Sequence, residues 1–285
     1  MALLGQFGRF GRNGAAGTPV EHLPYPPSRP ENGHKGTFGT VIVIGGCSVM
    51  PGAPAICARA ALRAGVGLVK IAADSATLPL ALTIEPCATG IALPEDSSDS
   101  LPGLLDDADP KRTAVLATGP GLRERADAII DHVFDQPRAM VLDADALNAL
   151  SRTSRTLRDA PAARILTPHP GEFRRIAEPL NITSDPTGSD ADRLEAARRL
   201  AEGHGCVVLL KGRRSVVTNG EQWFINQTGN VALATAGSGD VLTGALAALL
   251  AAGMTPFDAA SLGAAVHGGA ADRWRDRHGH AGLRA

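Results

Sequence analysis

Short apolar runs rich in β-branched residues recur along the chain. Most of them end in Gly, Pro or Asp. "TVIVIGG" (40–46), "LVKIAA" (68–73), "TAVLATG" (113–119), "RAMVLDA" (138–144), "ARILTP" (163–168) and "CVVLLKG" (206–212) are such runs. They are too short for helices and too uniformly apolar for strands with one wet face, so they read as strands buried on both sides. Helical patterns fall between or after them, over 54–65, 122–134, 145–151, 171–177, 190–203, 240–252 and 257–275. Strand and helix alternating through short connections predict an α/β fold: a mainly parallel central sheet with helices on both faces. Two further runs, "RSVVTN" (214–219) and "QWFIN" (222–226), meet at Asn219-Gly220. That junction predicts an antiparallel hairpin near one sheet edge.

Composition supports one large core. Hydrophobic residues make up 44% of the 285, and no internal repeat or second shift in composition divides the chain after residue 38. A single domain over 39–285 is expected. Residues 1–38 are rich in Gly, Pro, Asn and Ser. With "LPYPPSRPENG" among them, they read as a flexible, extended N-terminal arm. A formal net charge of −1 gives no basic field to attract nucleic acid. No uninterrupted apolar run of about 18 residues calls for a membrane span, and the first residues are too glycine-rich for a secretory signal. The four cysteines form no C-x-x-C pair and lie at no metal spacing from histidine. Reduced thiols in a cytoplasmic protein are expected, with no local feature that would activate one of them.

In open α/β sheets, ligands collect beyond the C-terminal strand ends. The loops there are Gly45-Gly46, "TGPGL" (118–122), "DADALN" (143–148), "TPHPGE" (167–172) and Lys211-Gly212, and "AGSGD" (236–240) opens a long apolar helix. Gly237, Ser238 and Gly239 let backbone N–H groups converge where the helix dipole is positive, which makes an anion hole. Asp240 behind them is either a helix cap or a reacting acid. Neither G-x-x-x-x-G-K-[ST] nor G-x-G-x-x-G occurs, so the P-loop and the dinucleotide fingerprint are excluded. "GGCSVMPGA" (45–53) could cradle a ligand or only turn strand into helix. Pro168 and Pro170 fix the backbone around His169, tilting it toward ligand contact, and Glu172 fits a helix cap better than a reach to a metal-bound water. Asp143 and Asp145 could hold Mg²⁺ through waters, or make a turn and a cap. Lys211, with Arg213 and Arg214 beside it, could reach a phosphate or snorkel at an edge. His267 reads as packing or capping.

The ordered set "HKGTFGTVIVIGG" (34–46), "MPGA" (50–53), "ALRAGVGLV" (61–69), "TGPGL", "VLDADALN" (141–148), "TPHPGE", "VVLLKG" (207–212) and "AGSGDVLTG" (236–244) resembles the ADP- or ATP-dependent NAD(P)H-hydrate dehydratases of the ribokinase-like superfamily. The likeness runs over residues 34–280. It implies a ribokinase-like three-layer sandwich and a repair reaction: removal of water from the S-form of NADH or NADPH hydrate, with ADP, or ATP, as co-substrate and Mg²⁺ bridging the phosphates. It implies Asp240 as the acid that takes the hydroxyl proton. Ala53, Gly121 and His169, with Asp240, would contact the hydrated dinucleotide. Lys211, Gly212, Arg213, Arg214, Ser215 and Gly239 would line the adenine-nucleotide site. No residue is singled out as a metal ligand. It further implies a homo-oligomer, a tetramer among its forms, and a separate epimerase chain, since residues 1–38 are too few for an epimerase domain. A hydroxymethyl-vitamin-precursor kinase of the same superfamily is the alternative. The chain departs from the common pattern at Val231, Ala232 and Ala236, where Pro or Gly is usual, and in the two arginines of "KGRRS" (211–215).

Overall fold

The computed structural model describes residues 17–94, 100–153 and 155–285. The first sixteen residues of the expected arm lie outside these. The strands are β1 (Thr18–Pro19), β2 (Thr40–Ile44), β3 (Leu68–Asp74), β4 (Thr89–Leu93), β5 (Val115–Thr118), β6 (Met140–Leu142), β7 (Arg164–Leu166), β8 (Val207–Leu210), β9 (Val216–Thr218) and β10 (Gln222–Ile225). They form one sheet in the order β1-β10-β9-β8-β7-β6-β5-β2-β3-β4. From β4 to β8 every pairing is parallel. β8–β9 and β9–β10 are antiparallel. The expected α/β sheet with a late antiparallel edge is therefore what the chain forms.

Alternate residues of each strand feed two separate cores, as the period of two requires. Ile42, Ile44, Leu116, Leu142 and Leu166 face one core. That core is closed by α3 (Leu101–Ala108), α4 (Ala126–Phe134), α5 (Asp145–Arg152), α6 (Pro170–Ala177) and α7 (Asp190–His204). Val41, Val43, Ala117, Val141 and Ile165 face the other, against α1 (Gly52–Arg63), α2 (Thr77–Ile84), α8 (Ser238–Ala251) and α9 (Pro256–His278). Three layers result.

Four of these strands and helices were not foreseen: β1, α2, β4 and α3. α2 carries Pro79 and α3 carries Pro102 and Gly103, all in first helical turns. Proline is tolerated there because its missing N–H would have no intrahelical partner. By composition alone these segments look like loops. The arm also departs from expectation between residues 18 and 38. Thr18 and Pro19 pair in parallel with Gln222 and Trp223, Leu23 is buried in the second core, and the Arg29 guanidinium stacks 3.6 Å from the Phe38 ring centroid. The stretch is extended through its prolines and ends in a 3₁₀ turn at Lys35–Phe38, and it is fastened to the domain.

Sheet order places β2 beside β5, with β3 leaving on one side and β6 on the other. That is the switch point at which the crevice of an open α/β sheet lies.

Candidate functional site

Glycines bring the strand-end loops together. The Gly46 N–H donates to Pro120 O at 2.8 Å. A Cβ on Gly121, at φ +70°, would lie 3.1 Å from the Ala53 methyl, so the loops after β2 and β5 touch. At Gly119, φ +125°, a Cβ would stand 1.8 Å from the Asp143 carbonyl oxygen. Only glycine allows β6 to end so close to β5.

Past β6 the backbone is strained. Ala144 has φ 51° and ψ −118°, a region costing a non-glycine residue about 1–3 kcal/mol. The twist separates two acids. Asp145 begins α5 and accepts the Arg123 N–H at 2.8 Å. Asp143 is buried. Its Oδ1 takes the Lys211 ammonium at 2.6 Å and its Oδ2 the Thr243 hydroxyl at 2.8 Å. Lys211 also lies 3.6 Å from Glu172 Oε2. Its ammonium thus joins the ends of β6 and β8 to the start of α6. Burial opposes ionisation of Asp143, but the Lys211 charge and the hydrogen bonds outweigh it and hold the carboxyl below its usual range. Lys211 is half-buried, and the Asp143 and Glu172 carboxylates outweigh its desolvation and keep it charged.

His169 is the N-cap of α6. Its Nδ1 accepts the Gly171 N–H at 3.0 Å and the Glu172 N–H at 3.3 Å, while Glu172 Oε2 accepts the His169 N–H at 2.8 Å. This is a capping box, and it bears out Glu172 as a cap. Because Nδ1 accepts, the neutral ring carries its proton on Nε2. Burial first, then Lys211 and Arg175, hold its pKa down. Half of the ring remains open to solvent.

The GSGD segment closes the site. Gly237 is left-handed, φ +86°, and precedes α8. Gly239 packs against the buried ion pair: a Cβ there would meet Asp143 Oδ2 at 3.4 Å and Lys211 Nζ at 3.7 Å. Asp240, on the first turn of α8, is half-buried, and no hydrogen bond or ion pair from the described residues holds its carboxyl. Burial, then the neighbouring Asp143 charge, push its pKa up to about 7.

Beside this cluster a cavity of about 300 Å³ is lined by Lys211, Gly212, Arg214, Ser215, Ser238 and Gly239, with Asn226, Thr228, Asn230 and His267 opposite. The nucleotide-site residues expected from sequence thus share one cavity, except Arg213. Its side chain is exposed, and its carbonyl, like that of Arg214, accepts from the buried Arg193 guanidinium. Ala53, Gly121 and His169 do not line this cavity.

Sequence reasoning missed its far wall. Asn226 Nδ2 donates to Ala264 O at 3.1 Å and Thr228 Oγ1 to Ala265 O at 2.8 Å, pinning the segment after β10 to α9. His267, expected to pack or cap, lines this cavity. Burial, then the Lys211 charge, push its pKa down to about 4. One signal was present: Gly268 and Gly269 sit mid-helix, where glycine usually marks a close backbone approach. A Cβ on Gly268 would lie 2.4 Å from Thr228 Oγ1.

A family model described as NAD(P)H-hydrate dehydratase matches residues 41–285. The chain belongs to that family. Among NAD(P)H-hydrate dehydratase relatives, the ADP-dependent (S)-NAD(P)H-hydrate dehydratase of Neisseria meningitidis is 39% identical over 251 residues, covering 86% of this chain and 80% of its own length. The bifunctional NAD(P)H-hydrate repair enzyme of Moorella thermoacetica is 40% identical over 90% of this chain, which spans only 49% of that enzyme. An ADP/ATP-dependent NAD(P)H-hydrate dehydratase from Bacillus subtilis, co-crystallised with ATP and Mg²⁺, superposes with a TM-score of 0.75 at 31% identity, covering 91% of this chain and 89% of that one. Ribokinase from Arabidopsis thaliana, 14% identical with a TM-score of 0.53, shares the fold alone, which makes the architecture ribokinase-like. No described helix is long and apolar enough to cross a membrane.

Proposed function

We propose that this chain dehydrates the S-form of NADH or NADPH hydrate at the expense of ADP, releasing AMP and phosphate. The observation that carries the reading is Asp240. A carboxyl with no partner among the described residues stands at the mouth of a glycine loop, with a pKa near neutrality and a nucleotide-sized cavity beside it. A carboxyl so placed is a general base for an alcohol.

Hydroxide leaves a ring carbon poorly, and phosphate leaves it well. The ring hydroxyl oxygen attacks the terminal phosphorus of ADP, Asp240 takes the hydroxyl proton, and the bond to AMP breaks. The Gly237 and Gly239 amides and the α8 dipole stabilise charge on the migrating group, whereas Ser238, expected to share in the anion hole, turns its N–H to Thr235 O at 3.4 Å. The ring nitrogen lone pair then expels phosphate, and loss of a proton from the adjacent carbon completes the ring double bond. Lys211, Gly212, Arg214, Ser215 and Gly239 form the nucleotide wall, with Arg213 at its outer end. Ala53, Gly121 and His169, with Asp240, form the dinucleotide side, where the Nε2 proton of His169 serves as a donor.

The acids suit a Mg²⁺ ion held mostly by phosphates and water. Both Asp143 oxygens are engaged, and no group of three or more His, Cys, Asp or Glu among the described residues is arranged to hold a metal. Asp143 and Asp145 would hold the ion through its waters, and when bound it would offset phosphate charge. The Moorella relative is about twice as long as this chain. We further infer a cytoplasmic homo-oligomer, a tetramer on family likeness. The exposed Val49, Val231 and Val266 give it apolar surface to cover, and light scattering would test it.

The decisive experiment feeds hydrated NADH or NADPH with ADP or ATP to wild type and Asp240→Asn. Return of the dihydronicotinamide absorbance is expected, fastest with ADP, with a loss of about 10³-fold or more in the variant. A stable phosphorylated product would make the chain a kinase. A variant retaining most of its rate would remove Asp240 from the mechanism.

A further inference from the structure

A second cavity of about 380 Å³ lies between α1, α8, α9 and residues 283–285, outside the strand-end crevice. Ile56, Val241 and Ala271 contribute to an apolar floor. Arg59, Arg63 and Arg284 stand around it, and no acidic side chain lines it. Arg59 is committed to Glu85 at 2.9 Å. Arg63 and Arg284 are exposed and have no ion-pair partner among the described residues. Apolar surface framed by unmatched positive charge suits a ligand with an apolar body and an anionic head. Three residues, Leu233, Ser238 and His267, line this cavity and the nucleotide-sized one as well. The two spaces are therefore back to back, separated by Leu233, the His267 imidazole and the first residue of α8.

We propose that the α1–α8–α9 cavity is a binding site for a small organic anion with an apolar body, and that its occupancy alters nucleotide affinity through the shared wall. The site itself is independent of the catalytic reading; the coupling rests on the nucleotide being held in the first cavity. A ligand pressing on His267 or Ser238 moves the wall that faces the nucleotide. Coupling of this kind is reciprocal.

Anilinonaphthalene sulfonate, an aromatic sulfonate, is a suitable probe. Fluorescence titration of the full chain should show one saturable site. Ala270→Trp fills the cavity from an exposed α9 position, and Arg63→Glu with Arg284→Glu reverses its rim. Each should weaken the probe at least tenfold while circular dichroism and Tm stay at wild-type values. If the tryptophan variant misfolds, the surface charge pair carries the test. Saturating probe should change the Kd of ADP at least threefold in wild type and leave it unchanged in the variants. Absence of binding to folded wild type, or unchanged binding in the charge pair, overturns the site. Full competition with ADP that persists in both variants places the probe in the nucleotide cavity and also overturns it. Failure of ADP to bind at all would overturn the coupling and the nucleotide reading, while the probe arm would still judge the site.

Discussion

Asp240 and Asp143 are two acids with opposite tasks. Asp143 is ionised and tied by Lys211 and Thr243, and its fixed charge helps raise Asp240. Because kcat/KM reports the free enzyme, its acid limb should fall with an apparent pKa near 7 as Asp240 takes up a proton. A profile flat down to pH 5 would exclude that base. The same shift affects stability. Asp240 binds its proton more tightly in the folded protein than in the unfolded chain. Its contribution to folding is complete below about pH 4 and is lost as pH rises through about 7. Asp240→Asn should therefore raise Tm at pH 8 by about 2–4 °C and give no gain at pH 4, which calorimetry at the two pH values would check. Ala144 offers a separate test. Ala144→Gly relieves its positive φ and should leave stability unchanged or higher by about 1 kcal/mol. A loss greater than that in denaturant titration would contradict the strain. At this scale the sequence exposed Asp240, Lys211 and Glu172, because each ends a strand or starts a helix. It could not decide between turn and ligand for Asp143, since Lys211 lies 68 positions away and only the fold brings the two together.

At the scale of elements, the site depends on how closely α8 approaches α1. A Cβ on Gly244 would lie 2.1 Å from the Cys57 carbonyl oxygen, so the helices meet backbone to backbone. Gly244 is one turn after Asp240, on the same helix face. Gly244→Ala should push α8 outward, destabilise the protein by about 1–3 kcal/mol and lower kcat more than it raises KM. Thermal melts with a kinetic comparison would show it. At the opposite end of the sheet, the fully buried Arg138 reaches Asp106 at 2.9 Å and Asp109 at 3.1 Å. Arg138→Ala strands the buried Asp109, while Asp106 keeps Arg112, and should cost about 3–5 kcal/mol, measured by denaturant unfolding. The buried strands were legible because an unbroken β-branched run permits little else. α2 and α3 were hidden by prolines that their first turns accept, and β4 by Gly90 and by its largely exposed place at the sheet edge.

For the molecule as a whole, parallel order and a late antiparallel edge followed from the alternation of elements and from Asn219-Gly220. The fastening of residues 18–38 did not. It depends on the free edge of β10, which local sequence cannot reveal. β1 covers that edge and shields polar groups that would otherwise invite pairing with another chain. The pairing also joins residue 18 to residue 222. During synthesis on the ribosome, the first segment of this sheet to emerge must wait, unsatisfied, for nearly the last. Until then a nascent chain presents two loose ends of one seam, and a chaperone that holds the early one has a reason to stay until the hairpin appears.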